Sequence, residues 1–259
     1  MSNEIFRLTT IISILVFTFL ISISNCNSIN DVTAVVDCDT TKGPIKIEVY
    51  QSWAPIGAKR FLELVKDGFY TDIALYRCVK GFLTQFGISE NPRLKHWHRE
   101  QIPDDPSLNK GIKKHYISYA GGGPNTRSTQ IFIAFEDLDF LGKPESPWEV
   151  PFAKVVEGED ALNGFYKGYG DIPPFGHGPD QQKIHNRGNK YVRDNFPLTD
   201  FIKSCEVTSE KDTEKERELV EERETNTEEM ERVVKEVSDP EAVVAEEEEE
   251  EEGEERKKE

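Results

Sequence analysis

The last 51 residues of the 259-residue chain contain no aromatic side chain, so any sizeable hydrophobic core must lie before them. Residues 209–259 carry 24 acidic and 9 basic side chains, whereas residues 1–208 carry 25 and 23. A segment with the composition of 209–259 buries too little apolar surface to offset the entropy of ordering it. We therefore predict a disordered acidic tail at 209–259 and a globular domain at 27–208.

The N-terminus carries the one long apolar run of the sequence. Residues 11–23 are almost entirely apolar, they follow a short head with Arg7, and small polar residues come after them. This pattern is typical of a signal peptide, which we place at 1–26, so the domain is predicted to enter the secretory pathway, in the endoplasmic reticulum lumen or outside the cell. The alternative is an uncleaved single-pass anchor with a lumenal domain, because a helix of the uncharged residues between Arg7 and Asp31 would reach about 34 Å.

Charge and metal-ligand spacing exclude several classes of function. The net charge of −17 would repel phosphate, so we expect no nucleic-acid partner. No Cys-x-x-Cys spacing occurs, and His96 and His98 are surrounded by Lys95, Trp97 and Arg99, which indicates a solvated loop in preference to a metal site. We therefore expect neither a metal nor another cofactor.

The residues between 31 and 208 have the pattern of a compact, mainly β domain. Two β-branched runs, 32–37 and 45–50, are joined by a turn-rich segment and predict a hairpin. Apolar residues at helical spacing between Pro55 and Gly68 predict a helix. Because closure removes exposed sheet edges, we predict a closed eight-stranded antiparallel barrel capped by two helices. The remaining strands are predicted at 73–79, 82–87, 115–120, 130–134, 151–156 and 198–207, and the second helix at 160–166.

Two strings of residues carry more specific information. Residues 75–87 read LYRCVKGFLTQFG, and residues 120–133 read AGGGPNTRSTQIFI. Together they resemble the cyclophilins, the family of peptidyl-prolyl cis/trans isomerases. The segments 150–158 and 168–171 resemble a longer-looped, divergent branch of that family. The resemblance extends from about residue 40 to residue 207, and it implies a cyclophilin-like barrel with a substrate groove on its outer face.

The resemblance also implies roles for individual residues. An isomerase must favour the twisted X–Pro amide, in which the proline nitrogen regains its lone pair, and a fixed donor in a site that excludes water can do so. Arg77 matches the catalytic arginine, which donates to the twisted amide. Gln85 is implied to grip the substrate backbone, and Gln130 to hold Arg77 or the peptide. The implied substrate-binding residues are Phe82, Leu83, Ala120, Gly121, Gly122, Phe132, Phe140 and Leu141.

The resemblance further implies one disulfide. The first and last strands lie side by side in the family, so Cys38 and Cys205 are expected to pair in an oxidising lumen. Cys26 leaves with the predicted signal peptide. Cys78, beside Arg77, is expected to stay free.

Several positions depart from the family pattern. Tyr76 occupies the position of a histidine, and Gly121 that of an asparagine. Phe140 stands at the position of the groove tryptophan, for which Trp148 is an alternative, and Glu149 at the position of a groove histidine. These changes predict weakened binding of cyclosporin-type ligands.

Two classes of function follow. The first is a peptidyl-prolyl cis/trans isomerase that assists the folding of proline-containing clients in the secretory pathway. The alternative is a catalytically weak module that uses the same groove only to bind proline-containing peptides. Retention of Arg77, Phe82, Gln85, Gln130 and Phe132 favours the enzyme. Contact with a membrane is expected only if the N-terminal segment is an uncleaved anchor.

Overall fold

The computed structural model describes residues 32–106, 111–142, 146–211, 225 and 227. The chain divides into two units, Met1–Glu210 and Lys211–Glu259, and the fold described below belongs to the first. The predicted signal peptide at 1–26 and nearly all of the predicted acidic tail lie outside the described residues. Residues 209 and 210 lie in the last strand of the sheet. The bounds of the three predicted segments stay predictions.

Within the described residues the structure has nine β-strands, and every pair of neighbouring strands is antiparallel. Their order in the sheet is β3-β9-β1-β2-β8-β6-β7-β5-β4. The prediction of a mainly β, antiparallel fold is thus confirmed. The strands are β1 Ala34–Thr40, β2 Gly43–Val49, β3 Ile73–Ala74, β4 Arg77–Cys78, β5 Leu83–Phe86, β6 Tyr116–Tyr119, β7 Ile131–Ala134, β8 Pro151–Glu157 and β9 Phe201–Glu210.

The strand count differs from the predicted eight because one predicted strand is divided. β3 and β4 lie at opposite ends of the sheet order, although only two residues separate them in the chain. β3 pairs with β9, and β4 pairs with β5. The segment 73–78 therefore joins the two ends of the sheet, which curls round on itself. Counted as one bent strand, this segment reduces the nine strands to the predicted eight.

The helices also differ from the prediction of two. The structure has α1 Pro55–Lys66, α2 Glu159–Gly164 and α3 Gln181–Asn195, together with a 3-10 helix at Pro92–Arg99. α1 and α2 correspond to the predicted helices, whereas α3 and the 3-10 helix were not predicted. Gly188 interrupts α3 at φ 66°, a conformation outside the helical region, so α3 consists of two helical segments joined at a kink. The side chain of Asp180 caps its first turn by accepting a hydrogen bond from the Lys183 N–H at 2.9 Å.

The segment around His96 and His98, predicted as a solvated loop, is a 3-10 helix instead, in which His96 is exposed and His98 is partly buried. Both residues lie in the 3-10 helix, where His98 Nδ1 is 2.9 Å from Thr129 Oγ1 and Nε2 is 3.2 Å from the Ser89 carbonyl oxygen. Burial lowers the pKa of His98 to about 4. In the described ranges, no group of three or more His, Cys, Asp or Glu side chains is arranged to hold a metal ion.

The barrel interior is filled by alternate residues of the strands and by one face of α1. Phe61 of α1 packs on Phe152 of β8, with ring centroids 5.1 Å apart. Pro55 begins α1, where its missing N–H costs no helical hydrogen bond. None of the helices in the described part of the chain has the length and apolar character needed to cross a lipid bilayer.

The register of β1 and β9 places Cys38 directly opposite Cys205, and the structure contains the disulfide between them. It joins residues 167 positions apart and links the first strand to the last. Cys78 is free and buried, and burial raises the pKa of its thiol to about 11.

Candidate active site

Three neighbouring strands bring the predicted polar residues together on the outer side of the barrel. The register of β4 and β5 places Arg77 opposite Gln85. The register of β5 and β7 places Gln85 opposite Phe132, and Gln130 immediately precedes β7. Sheet pairing alone therefore gathers side chains that are up to 55 positions apart in the sequence.

A chain of hydrogen bonds connects these side chains. Arg77 Nη1 donates to Gln85 Oε1 at 3.1 Å, and Gln85 Nε2 donates to Gln130 Oε1 at 3.3 Å. Gln130 Oε1 also accepts a hydrogen bond from the hydroxyl of Tyr76. Burial raises the pKa of Tyr76 far above its ordinary value, so the phenol remains a donor at neutral pH. Gln130 is implied by the resemblance to hold either Arg77 or the peptide. In the structure it reaches Arg77 indirectly, through Gln85.

The other edge of the Arg77 guanidinium is bound by Asp171, which was not among the predicted site residues. Arg77 Nε donates to Asp171 Oδ1 at 2.6 Å, and Nη2 donates to Oδ2 at 3.0 Å. Partial burial raises the pKa of Asp171, but hydrogen bonds from Arg77 and from the Ile172 N–H outweigh it, and the net pKa lies below the ordinary value. Arg77 and Asp171 thus form a charged, bidentate pair.

Apolar side chains lie beside this pair. The guanidinium carbon of Arg77 is 5.3 Å from the centroid of the Phe82 ring, and Phe140 stacks on Phe82 with centroids 5.9 Å apart. Phe140 is 61% exposed, so it lies at the rim. Behind Phe82 lies a buried apolar cluster of Leu83, Ile112, Phe132, Ala134 and Leu138, against which Tyr116, Ala120 and Leu141 also pack.

Two of the implied substrate-binding residues are covered in this structure. Leu83 and Phe132 are only 2% and 1% exposed. A proline ring therefore reaches these two side chains only if neighbouring side chains move. Gly122, by contrast, is exposed, and its N–H donates to Thr126 Oγ1 at 2.8 Å.

The structure explains why glycine occupies position 121. A Cβ atom at Gly121 would lie 2.6 Å from Cδ1 of Trp148, closer than real Cβ contacts come. Trp148 therefore folds back over the segment that carries Ala120, Gly121 and Gly122. Its indole N–H is buried and has no acceptor among the described residues.

The neighbouring Glu149 is a partly buried carboxyl group. In the described part of the structure, nothing donates a hydrogen bond to its buried Oε2. Burial raises the pKa of Glu149 to about 7, against smaller opposing effects of a hydrogen bond with Ser146 and of the charge of Arg77. This carboxyl group therefore titrates near neutral pH within the field of Arg77.

Sequence reasoning did not assign functions to Tyr76, Glu149 or Asp171. Tyr76 and Glu149 were visible as departures from the family pattern at groove positions. Asp171 lies 94 positions after Arg77, in the segment 168–171 that resembles the longer-looped branch, but that resemblance gave it no role.

Comparison with known proteins gives matches to one family. Residues 35–177 match the family model described as cyclophilin type peptidyl-prolyl cis-trans isomerase/CLD. Peptidyl-prolyl cis-trans isomerase B of Escherichia coli is 30% identical over 136 residues, which are 50% of this chain and 82% of that protein. Peptidyl-prolyl isomerase CWC27 of Yarrowia lipolytica is 32% identical over 117 residues, 42% of this chain and 33% of that protein.

Other matches extend over different shares of their proteins. Peptidyl-prolyl cis-trans isomerase-like 2 of Neurospora crassa is 29% identical over 48% of this chain, which spans only 21% of that relative. A crystal structure of a cyclophilin type isomerase from Cryptosporidium parvum superimposes with a TM-score of 0.49 at 22% identity. That alignment covers 69% of this chain and 99% of the other.

Proposed function

Since the chain belongs to the cyclophilin-type peptidyl-prolyl cis-trans isomerase family, we propose that its barrel domain catalyses cis/trans isomerisation of X–Pro peptide bonds. The observation that carries this proposal is the position of the Arg77 guanidinium. It is bound at one edge by Asp171 and at the other by Gln85, and it lies over Phe82. A permanently charged, planar donor is thus held beside an apolar surface.

Isomerisation of an X–Pro bond requires such a donor and no covalent step. Amide resonance opposes rotation about a peptide bond with a barrier of about 18–20 kcal/mol. At the twisted geometry the proline nitrogen regains its lone pair, and a preorganised donor stabilises this state over the planar one. A guanidinium has about five N–H donors. Three of those of Arg77 are used by Asp171 and Gln85, so N–H groups on both Nη1 and Nη2 remain for the substrate.

The neighbouring residues take supporting roles in this proposal. Phe82 and Phe140 supply the apolar rim for the pyrrolidine ring, and Phe132 forms the floor once the groove opens. Gln85 holds Arg77 through its carbonyl oxygen and is itself held by Gln130. Tyr76 secures Gln130 from the buried side.

We further propose that the protein acts on proline-containing clients in the secretory pathway. The apolar N-terminal segment with signal-peptide character supports entry into that pathway. The disulfide between Cys38 and Cys205 supports an oxidising compartment. Intact-mass measurement of the native protein tests this proposal: a mature chain that begins near residue 27 is expected. A chain that retains residues 1–23 and is extracted only by detergent would instead show a membrane anchor.

A second candidate is a binding module without significant catalysis. The specific observation in its favour is the near-complete burial of Phe132 and Leu83, two side chains that the resemblance implies for substrate binding. A peptide held only at the rim would bind without the contacts that twist its amide. The two functions differ in one measurement, the isomerisation rate at saturating protein.

The decisive experiment follows isomerisation of an X–Pro peptide with the purified full chain. Arg77→Ala should lower kcat/KM by about 100-fold to 1000-fold, the size seen when one preorganised donor is removed. Arg77→Lys should recover little, because an ammonium lacks the planar fork. Arg187→Ala, which removes an exposed guanidinium on α3, is the matched control and should retain full activity. If the wild type binds the peptide without raising the rate above background, the binding-module function holds instead.

A further inference from the structure

Asp171 makes the most extensive hydrogen-bonded contact described for the Arg77 guanidinium. We propose that Asp171 is a positioning residue, which fixes the plane of the Arg77 guanidinium so that its remaining N–H groups meet the substrate amide. This inference rests on the proposed function of Arg77. It adds the device that holds the guanidinium in place.

The contact is built for orientation. Two parallel N–H···O bonds join the fork of the guanidinium to the fork of the carboxylate, at 2.6 and 3.0 Å. Such a pair fixes the plane of the guanidinium, whereas a single hydrogen bond leaves the guanidinium free to rotate about the axis of that bond. Without Asp171, the single bond from Nη1 to Gln85 would be the remaining hydrogen bond described for the guanidinium. The two side chains are 21% and 20% exposed, so water reaches the pair only in part.

The backbone around Asp171 is organised to present it. Gly170 forms an antiparallel bridge with Cys78, the residue after Arg77, which brings the loop onto β4. The Ile172 N–H donates to Asp171 Oδ1 at 2.7 Å, and the Gly178 N–H donates to the Asp171 carbonyl oxygen at 2.8 Å. At Gly176 an added Cβ would lie 2.3 Å from that same oxygen, so the loop closes tightly around Asp171.

Surface ion pairs elsewhere on the barrel lack these properties. Lys203 and Asp39, for example, make one contact at 3.1 Å, and both side chains are more than half exposed. A pair of this kind contributes little and fixes no orientation. The Arg77–Asp171 pair therefore belongs to the groove and is distinct from the general surface charge pattern.

The opposite reading is that Asp171 restrains catalysis, because its negative charge offsets that of Arg77. The geometry favours positioning, since Asp171 binds the Nε edge and leaves N–H groups of both Nη1 and Nη2 unused. Stabilisation of the twisted amide depends on donors that are already oriented before the reaction. The two readings predict opposite changes in rate when the carboxylate is neutralised.

Asp171→Asn is the test, because it keeps the shape and one oxygen acceptor but removes the charge and the second acceptor. In the full chain we expect kcat/KM for an X–Pro peptide to fall about tenfold, the scale of a charge-assisted hydrogen bond. The Kd of the peptide and the Tm should change little. Asp39→Asn, which removes a carboxylate from the exposed pair with Lys203, is the matched control and should leave all three values unchanged.

A second measurement separates positioning from a merely structural role. In the NMR spectrum of the wild type, the Arg77 Nε–H should give a signal protected from exchange with water, and Asp171→Asn should abolish that protection. A wild-type signal that already exchanges freely would overturn the inference even if no turnover is detected.

The rate outcomes also distinguish this inference from the proposed function. If Arg77→Ala is inactive and Asp171→Asn is as active as the wild type, only the positioning role fails. A gain of activity in Asp171→Asn would show that the carboxylate restrains Arg77, and would overturn the inference. If Arg77→Ala itself is fully active, the proposed mechanism fails and the positioning role falls with it.

Discussion

Neutralising Glu149 should stabilise the protein, and the gain should depend on pH. The carboxyl group is partly buried, and no group in the described residues donates to its Oε2. Burial raises its pKa from 4.5 to about 7. Between these two values the folded protein holds a proton on Glu149 that the unfolded chain has released. Stability therefore falls as the pH rises through this window.

The size of the effect follows from the pKa change. Each pH unit between the unfolded and folded pKa values corresponds to about 1.4 kcal/mol. The rise from 4.5 to about 7 therefore predicts that ionised Glu149 costs about 3 kcal/mol above neutral pH. Glu149→Gln mimics the neutral acid. It should raise the unfolding free energy by that amount at about pH 8.5, and by almost nothing at about pH 4.

Urea unfolding of wild type and variant at both pH values, followed by tryptophan fluorescence, measures this difference. The hydrogen bonding of the new amide would change the unfolding free energy equally at both pH values. That contribution cancels when the gain at about pH 8.5 is compared with the gain at about pH 4. Glu206→Gln, at an exposed position on β9, is the control and should show no pH-dependent gain. A gain that is absent at high pH, or reversed, would refute the reasoning, because it would mean that Arg77 stabilises an ionised Glu149.

Three further predictions concern the groove and the disulfide. Gly121→Asn, which restores the residue expected from the family, should destabilise the domain by about 1–3 kcal/mol in thermal or urea unfolding, because its Cβ collides with Trp148; an unchanged stability would contradict this packing. Phe140→Trp should tighten binding of a cyclosporin-type ligand, measured by titration, because it adds an indole N–H; equal affinity of the wild type would mean that Trp148 already fills that role. Replacing both Cys38 and Cys205 by Ser should lower the unfolding free energy by about 5 kcal/mol on the chain-entropy estimate for a loop of 167 residues, and a non-reducing peptide map with both thiols free would contradict the bond itself.

Much of the fold was predictable because its signals are local. The β-branched hairpin, the helix that begins at Pro55 and the short strands after it each depend on residues close together in the chain. α3 was missed because its few apolar positions and Gly188 weaken the helical pattern, although Asp180 caps it. Its stability depends on contacts with distant residues, such as the hydrogen bond from the Asn189 N–H to Glu90.

The candidate site likewise combines residues that the sequence predicted with features that the sequence did not explain. Arg77, Gln85 and Gln130 were predicted because they stand in strings that resemble one family, and the structure joins them by hydrogen bonds. Their roles in catalysis stay predictions. The sequence also showed that Gly121 and Glu149 depart from the family pattern, but it offered no reason for either change.

By itself, then, the sequence predicted the class of fold, a set of candidate groove residues and the disulfide partners, because strand patterns and family strings are properties of short segments. Only the tertiary structure decided that Asp171 binds Arg77 and that Trp148 requires a glycine at position 121. Asp171 and Trp148 each lie in a loop, and each contacts a residue far away in the chain. Whether such segments meet depends on how those loops return to the barrel, and that path is set by the packing of the whole domain, which no local pattern records.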